Sequence, residues 1–131
     1  KGRASDRLKR MYEAVLEAQE ASMSELGPGA DGKRAHEAVL EIYRRRGYKT
    51  RLTNGRIEGY FHGTGHGVGL EIHEAPSIGG GSVTLQPGHV VTVEPGLYYH
   101  EDGAVRLEDT VVITADGCRN LMSYPKVLEV P

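Results

Sequence analysis

Gly59-Tyr60-Phe61-His62-Gly63-Thr64-Gly65-His66-Gly67-Val68-Gly69-Leu70-Glu71-Ile72-His73-Glu74-Ala75-Pro76 is the stretch whose reading decides the rest. It holds three of the chain's six histidines, and glycine occupies every second position from Gly63 to Gly69. Histidine is the commonest metal ligand and a usual general acid or base near neutral pH. Glycine admits positive φ and lets other groups approach the backbone closely. Imidazoles among glycines therefore imply chemistry presented by a main chain that must bend. A glycine-rich turn carrying surface histidines fits the same letters, and the flanking sequence has to decide.

Downstream the pattern is β-like from about residue 48. His89-Val90-Val91-Thr92-Val93-Glu94 is rich in β-branched residues and stops at Pro95-Gly96. Leu97 to His100 makes another short piece, Glu101-Asp102-Gly103 turns the chain, and Val105 to Thr114 is the longest strand expected, closed by Asp116-Gly117. Pro125 to Pro131 is expected to finish extended. Upstream, Ser5 or Asp6 can cap a helix whose apolar residues Leu8, Met11, Tyr12, Val15, Leu16, Met23 and Leu26 recur mostly at three- and four-residue intervals. Gly27-Pro28-Gly29 ends it. A second helix is expected from about Asp31 to Arg46 through Ala35, Val39, Leu40 and Tyr43, with Gly47 as its cap. Arg44-Arg45-Arg46 then reads as a solvated last turn, where cations favour the helix dipole. The sequence thus predicts one α+β domain over residues 1–131, helical over about 5–47 and β over about 48–131, with two helices packed on an antiparallel sheet.

The length of 131 residues suffices for a real core, and the formal charge of −2 gives no electrostatic case for nucleic acid or an anionic membrane. A single cysteine, Cys118, makes no internal disulfide, so a reducing, cytoplasmic setting is the expectation. No apolar run approaches the roughly 20 residues that span a bilayer.

Side chains alternate faces along a strand. Thr92 and Glu94 therefore share a face, as do Arg106, Glu108 and Thr110, while Val105, Leu107 and Val111 pack opposite. Each carboxylate taken alone reads more readily as half of an ion pair than as a ligand. Together, His66, Glu94 and Glu108 form a nitrogen-plus-two-carboxylate set that suits divalent Mn, Co, Zn or Fe. A metal so held polarises a carbonyl and activates water. Other motifs fail: Val68 stands where G-x-G-x-x-G needs glycine, His73-Glu74-Ala75-Pro76-Ser77 is not H-E-x-x-H, and Gly81-Ser82 lies in no nucleophile elbow.

His62-Gly63-Thr64-Gly65-His66-Gly67-Val68-Gly69 with His73-Glu74-Ala75-Pro76, then Leu85-Gln86-Pro87-Gly88, Val93-Glu94-Pro95-Gly96-Leu97-Tyr98 and Val105-Arg106-Leu107-Glu108-Asp109 stand in a telling order. They resemble the catalytic domain of the pita-bread metallopeptidases: methionine aminopeptidase, Xaa-Pro aminopeptidase and prolidase, with creatinase as a non-peptidase relative. Glu94-Pro95-Gly96-Leu97-Tyr98 and Arg106-Leu107-Glu108-Asp109 look like the Xaa-Pro branch. The resemblance implies the C-terminal half of that fold, with His66 and Glu94 as metal ligands and Glu108 bridging two metals. It implies that His62 lines the substrate site, that His73 hydrogen-bonds the scissile carbonyl, and that Arg106 and Tyr98 orient the site. The implied reaction is hydrolysis of an N-terminal Xaa-Pro peptide bond by a metal-activated hydroxide.

The family's centre also uses two aspartates from a hairpin preceding the helices, which this chain does not show. Asp6 and Asp31 read as caps, Asp102 lies in a turn, and Asp109 faces away from Glu108. At most one metal, Mn, Co or Zn, is therefore expected per chain, with weak or no activity from this chain alone. Three readings follow: the C-terminal part of an Xaa-Pro metallopeptidase, a non-catalytic module binding peptides or proteins, or a half-domain completed by a homodimer or a second chain.

Overall fold

The computed structural model describes residues 2–130. Helix α1 runs Asp6–Ser24 and is capped by Ser5, whose Oγ accepts the Leu8 N–H at 3.2 Å. Helix α2 runs Gly32–Arg45 and is capped by Asp31, which accepts the Lys33 N–H at 3.0 Å. Between them Gly29 takes φ +79°, the left-handed turn expected of glycine there. The Asp31 carboxylate also accepts from Ser82 Oγ at 2.6 Å and the Val83 N–H at 3.1 Å, so the cap pins a distant loop as well.

The buried face of α1 is Met11, Ala14, Val15, Ala18, Gln19 and Ser22. Large apolar residues lapse between Leu16 and Met23 because Ala14, Ala18 and Ser22 continue the face with small side chains. On α2 the face is Ala35, Val39, Ile42 and Tyr43. Leu40, expected inside, is instead 44 % exposed. It sits only one residue past Val39, about 100° round the helix, whereas Ile42 at three residues falls back on the stripe. The arginine run is also more than a solvated turn. Arg44 binds Glu41 on its own helix, but Arg45 and Arg46 both reach Glu17 of α1 and clamp the helices together.

Among the described residues nine short strands follow: β1 Arg51–Thr53, β2 Arg56–Glu58, β3 Gly65–Gly67, β4 Glu74–Ile78, β5 Val90–Val93, β6 Gly96–Tyr99, β7 Gly103–Arg106, β8 Asp109–Ile113 and β9 Cys118–Asn120. β1 and β2 form a hairpin across Asn54 and Gly55, both at positive φ (50° and 76°), as a type I′ turn demands. The main sheet has the order β4-β3-β5-β8-β9 with antiparallel pairing throughout, and β6-β7 is a separate hairpin.

The run expected as one strand from Val105 to Thr114 is broken at Leu107-Glu108. Its first half pairs with β6 and its second with β5, so one stretch serves two sheets. Alternation survives the break: Val105, Asp109 and Val111 are buried while Arg106 and Glu108 are exposed. β9 was not legible, being three residues without an apolar signature.

Two apolar clusters result. Met11, Val15, Val39, Ile42, Tyr43, Tyr60, Leu97 and Val105 join the helices to the β6-β7 hairpin. Leu26, Ala35, Ile78, Leu85, Val91, Val93, Val111 and Ile113 lie between the start of α2 and the main sheet. Residues 121–130 contain no strand, yet Lys126 binds Asp109 at 2.5 Å and Glu129 accepts the Ala4 N–H at 2.8 Å, tying this tail to the body. The expected extended finish reaches Pro131, which lies outside the described residues. Among the described residues no helix is long and apolar enough to cross a membrane.

Candidate active site

The chain does shift register between His66 and Gly67 and bends at Gly69, but the alternating glycines are not there for left-handed backbone. None of Gly63, Gly65, Gly67 or Gly69 has positive φ; three of them serve close approach. A Cβ on Gly65 would run into the Thr92 carbonyl, one on Gly67 into the Ala75 carbonyl, and one on Gly69 into the Glu74 carboxylate. β3 therefore sits deeper between β4 and β5 than any other residue type allows, and its closeness sets His66 against the end of β5.

There His66 Nε2 lies 3.0 Å from Glu94 Oε1. The other ring nitrogen, Nδ1, donates to the Gly67 carbonyl at 3.0 Å, so in the neutral ring Nε2 turns a lone pair toward the carboxylate. Two acceptors meet at that distance only with a proton or a cation between them. Thr92 fixes both partners, since its Oγ1 accepts the His66 backbone N–H at 3.0 Å and donates to Glu94 Oε1 at 3.0 Å. Arg106 Nη1 stands 3.7 Å from Glu94 Oε2, and its guanidinium lies 5.7 Å from the centre of the Tyr98 ring.

His62 donates from Nδ1 to the Gly63 carbonyl at 2.7 Å, leaving Nε2 to accept the Tyr98 hydroxyl at 3.1 Å. Burial, seconded by the Arg106 charge, holds the His62 ring below the usual imidazole pKa, although the Gly63 bond and Glu94 oppose it. Burial likewise pushes the Tyr98 phenol up, against the nearby Arg106 charge. Both groups are thereby kept neutral, with a hydrogen bond of defined sense between them. His73 is exposed, its ring 4.3 Å from that of His66. His62, His66, His73, Glu94 and Arg106, with Gly63, Gly65 and Ser77, line one concavity of about 320 Å³.

The residues expected from the sequence thus mostly converge. Tyr98 joins through His62 and Arg106 without lining the concavity, and Glu108, exposed at the break between β7 and β8, does not line it either. Among the described residues no three His, Cys, Asp or Glu side chains gather in a metal-holding arrangement. His66 and Glu94 offer two oriented donors that fit one edge of a divalent cation, and a full coordination shell needs further ligands. The chain's aspartates do not supply them. Asp31 caps α2, Asp102 pairs with Arg7 at 2.6 Å, and Asp109 is held by Lys126 and by Asn120 Nδ2 at 2.7 Å. Asp6 occupies the first turn of α1, and the capping falls to Ser5.

Sequence reasoning missed Thr92 as the link between the two donors. Its place two residues before Glu94, on the same strand face, was the available signal. It also missed Ser77, paired with His66 across β3 and β4, for which no motif spoke.

Comparison with known proteins bears on the family and the fold. The chain is 40 % identical to the Xaa-Pro dipeptidase of Pyrococcus furiosus, over 97 % of the chain and 34 % of that protein. It is 36 % identical to Xaa-Pro aminopeptidase 1 of Streptomyces coelicolor, over 92 % of the chain and 29 % of that protein. Among solved structures, the X-Pro aminopeptidase from Thermotoga maritima MSB8 superposes with a TM-score of 0.85 at 35 % identity, covering 96 % of this chain and 34 % of that one. The chain spans about a third of the length of the curated relatives it matches, and the fold is correspondingly a part of the pita-bread architecture. The family model described as metallopeptidase family M24 matches residues 1–115, and the chain belongs to that family.

Proposed function

We propose that the protein carrying this chain is an Xaa-Pro peptidase that hydrolyses the bond between an N-terminal residue and a following proline, with His66, Glu94 and Glu108 contributing to a divalent metal centre. The observation that carries this reading is the convergence of His66 Nε2 and Glu94 Oε1 at 3.0 Å in the concavity that His62, His73 and Arg106 also line. A divalent cation bound there, Mn, Co or Zn, would polarise the scissile carbonyl and ease ionisation of water. The chain's own groups divide the remaining work. Tyr98, its proton held by His62, presents a neutral oxygen acceptor to a bound peptide, and the His62 ring lines the site beside it. His73, exposed beside His66, donates to the carbonyl oxygen as charge builds on it. Arg106 balances the Glu94 carboxylate and keeps Tyr98 in place.

Glu108 needs a counter-ion to be drawn in from the exposed break between β7 and β8, and the remaining donors come from outside this chain's described residues. Leu70 and Ile72, 104 % and 75 % exposed beside the site, supply an apolar lip on which such a neighbour would sit, whether more of the same polypeptide or a second copy. A cytoplasmic location accords with the single thiol, Cys118.

The test is an assay of the full-length protein on Xaa-Pro dipeptides and longer Xaa-Pro peptides with Mn, Co or Zn added. Hydrolysis that chelation abolishes, and that Glu94→Ala removes, is expected. A well-folded protein that binds metal and peptide without turnover would replace this reading with that of a peptide-binding module.

A further inference from the structure

His36 projects from α2 toward the glycine strand, half-buried, far in sequence from every residue placed in the site. Its Nδ1 lies 2.8 Å from Thr64 Oγ1 and 3.4 Å from Tyr60 Oη, and those two hydroxyls are 2.7 Å apart. Thr64 is fully buried and Tyr60 is 6 % exposed, so the two hydroxyls are shielded from bulk water while the His36 ring is half-buried. The space is specific to the ring. A Cβ on Gly79 (φ +113°) would stand 2.8 Å from Nδ1 and 3.0 Å from Cγ, so glycine there is what admits an imidazole.

The hydroxyl protons fix the sense of the network. Among the described residues, Tyr60 Oη finds only Thr64 Oγ1 and His36 Nδ1 within hydrogen-bonding reach. With Nδ1 unprotonated, the Tyr60 hydroxyl donates to Thr64 and the Thr64 hydroxyl donates to Nδ1, and every proton has an acceptor. With a proton on Nδ1, one buried hydroxyl is left with none, which disfavours that state. Burial, with the facing His62 ring, holds His36 below the usual imidazole pKa, in keeping with the neutral ring.

Thr64 is the junction on which the site depends. Its N–H donates to the Ile78 carbonyl at 2.8 Å and its carbonyl accepts the Glu94 N–H at 2.7 Å, so it ties β4 to the residue that faces His66. It stands two residues from both His62 and His66. Tyr60 meets the His62 ring edge-on at 4.9 Å. We infer that His36 is a positioning residue for the site: by accepting the Thr64 hydroxyl it fixes the strand from which His62, His66 and Glu94 take their places. For its kinetic consequence this rests on the peptidase reading; for its effect on the donor pair it does not.

The test uses the full-length protein with His36→Leu, His36→Asn and Thr64→Val, reading kcat, KM, thermal stability and the Kd of Mn²⁺ alone by calorimetry. Asparagine places an acceptor near the position of Nδ1; leucine fills space without one. His36→Leu is expected to lower kcat and raise the Mn²⁺ Kd about tenfold each, with KM within about twofold, as for other partners that orient ligands. His36→Asn is expected to stay within about twofold of wild type in both. Thr64→Val should match His36→Leu, and the double variant should lose no more than either single one, because one network is removed once. Should His36→Leu fail to fold, Thr64→Val against wild type carries the same comparison. Unchanged kcat and Kd in His36→Leu would overturn the inference. So would a His36→Asn as impaired as the leucine variant, or losses that multiply in the double variant. If the wild type cleaves no Xaa-Pro peptide, the peptidase reading falls and the Mn²⁺ Kd comparison alone decides His36. A wild type that binds no Mn²⁺ overturns both.

Discussion

Gln19 of α1 donates its side-chain N–H to the Val93 carbonyl at 2.9 Å, fastening the middle of a helix to the residue that precedes Glu94. The side chain is fully buried, and its Oε1 has no partner among the described residues, nor has Ser22 Oγ one turn on. Evolution of a tighter core would favour an apolar residue here, so the bond to Val93 is what justifies a glutamine. Gln19→Ala is expected to lose the bond and leave a cavity, destabilising the fold by about 2–4 kcal/mol in urea unfolding. Gln19→Leu refills the space and drops the unpaired oxygen, so its loss is expected to be about 1 kcal/mol, while Mn²⁺ binding still weakens as the end of β5 loosens.

Thr92 touches both members of the donor pair through one hydroxyl. Thr92→Val keeps the shape and removes that hydroxyl, leaving the His66 N–H unpaired and Glu94 Oε1 without its fixed donor. A rise of about tenfold in the Mn²⁺ Kd with little change in far-ultraviolet circular dichroism is the expected outcome. An affinity equal to wild type would mean that β3 and β5 hold the pair without Thr92.

The two helices and the strands β5 and β6 were legible because local signals and tertiary demands agree. Ser5 and Asp31 are strong caps, Gly47 at φ +81° follows the C-cap Arg46 of α2, and β5 is an unbroken β-branched run. Leu40 and the divided Val105–Thr114 run were not legible, since which apolar residue is buried and which strand pairs where depend on distant partners. The site separates in the same way. His62, His66, His73, Glu94 and Arg106 come together because adjacent strands and turns carry them. Glu108 does not join them, since a break in strand direction leaves it exposed and no neighbour pulls it in. His36 was invisible for the opposite reason: on an amphipathic helix a single histidine carries no motif, and only the fold brings it to Thr64.

Gly65 offers a sharper test of the close-approach reading than any histidine. It is not at positive φ, so alanine meets no backbone strain, only the Thr92 carbonyl. Backbone cannot step aside as a side chain would, and Gly65→Ala should force β3 from β5 at a cost of about 3 kcal/mol or more. Gly81→Ala, where a Cβ meets open space, should leave the urea midpoint within error of wild type. Equal midpoints for the two variants would show that the glycines serve something other than proximity.

Glu58 sets a pH dependence apart from the site. Its carboxylate accepts the His100 backbone N–H at 3.0 Å and the Thr53 hydroxyl at 2.9 Å, and pairs with Arg51 at 3.1 Å. These bonds, the His100 amide foremost, hold its pKa below the usual 4.5 in the folded state, against the effect of burial. A folded pKa below the unfolded one means the unfolded chain takes up the proton more readily. The stability it contributes is therefore fully present above the unfolded value and is lost as pH falls through the folded one. Wild type should accordingly exceed Glu58→Gln in thermal midpoint at pH 7, and the gap should narrow steadily below about pH 4.5, the ordinary carboxylate value. A gap that stays constant down to pH 3 would assign the difference to the shape of the side chain rather than its charge. Because β2 and the β6-β7 turn meet at this carboxylate, the same titration should loosen the hairpins before the main sheet, seen as earlier hydrogen exchange at His100 than at Val91.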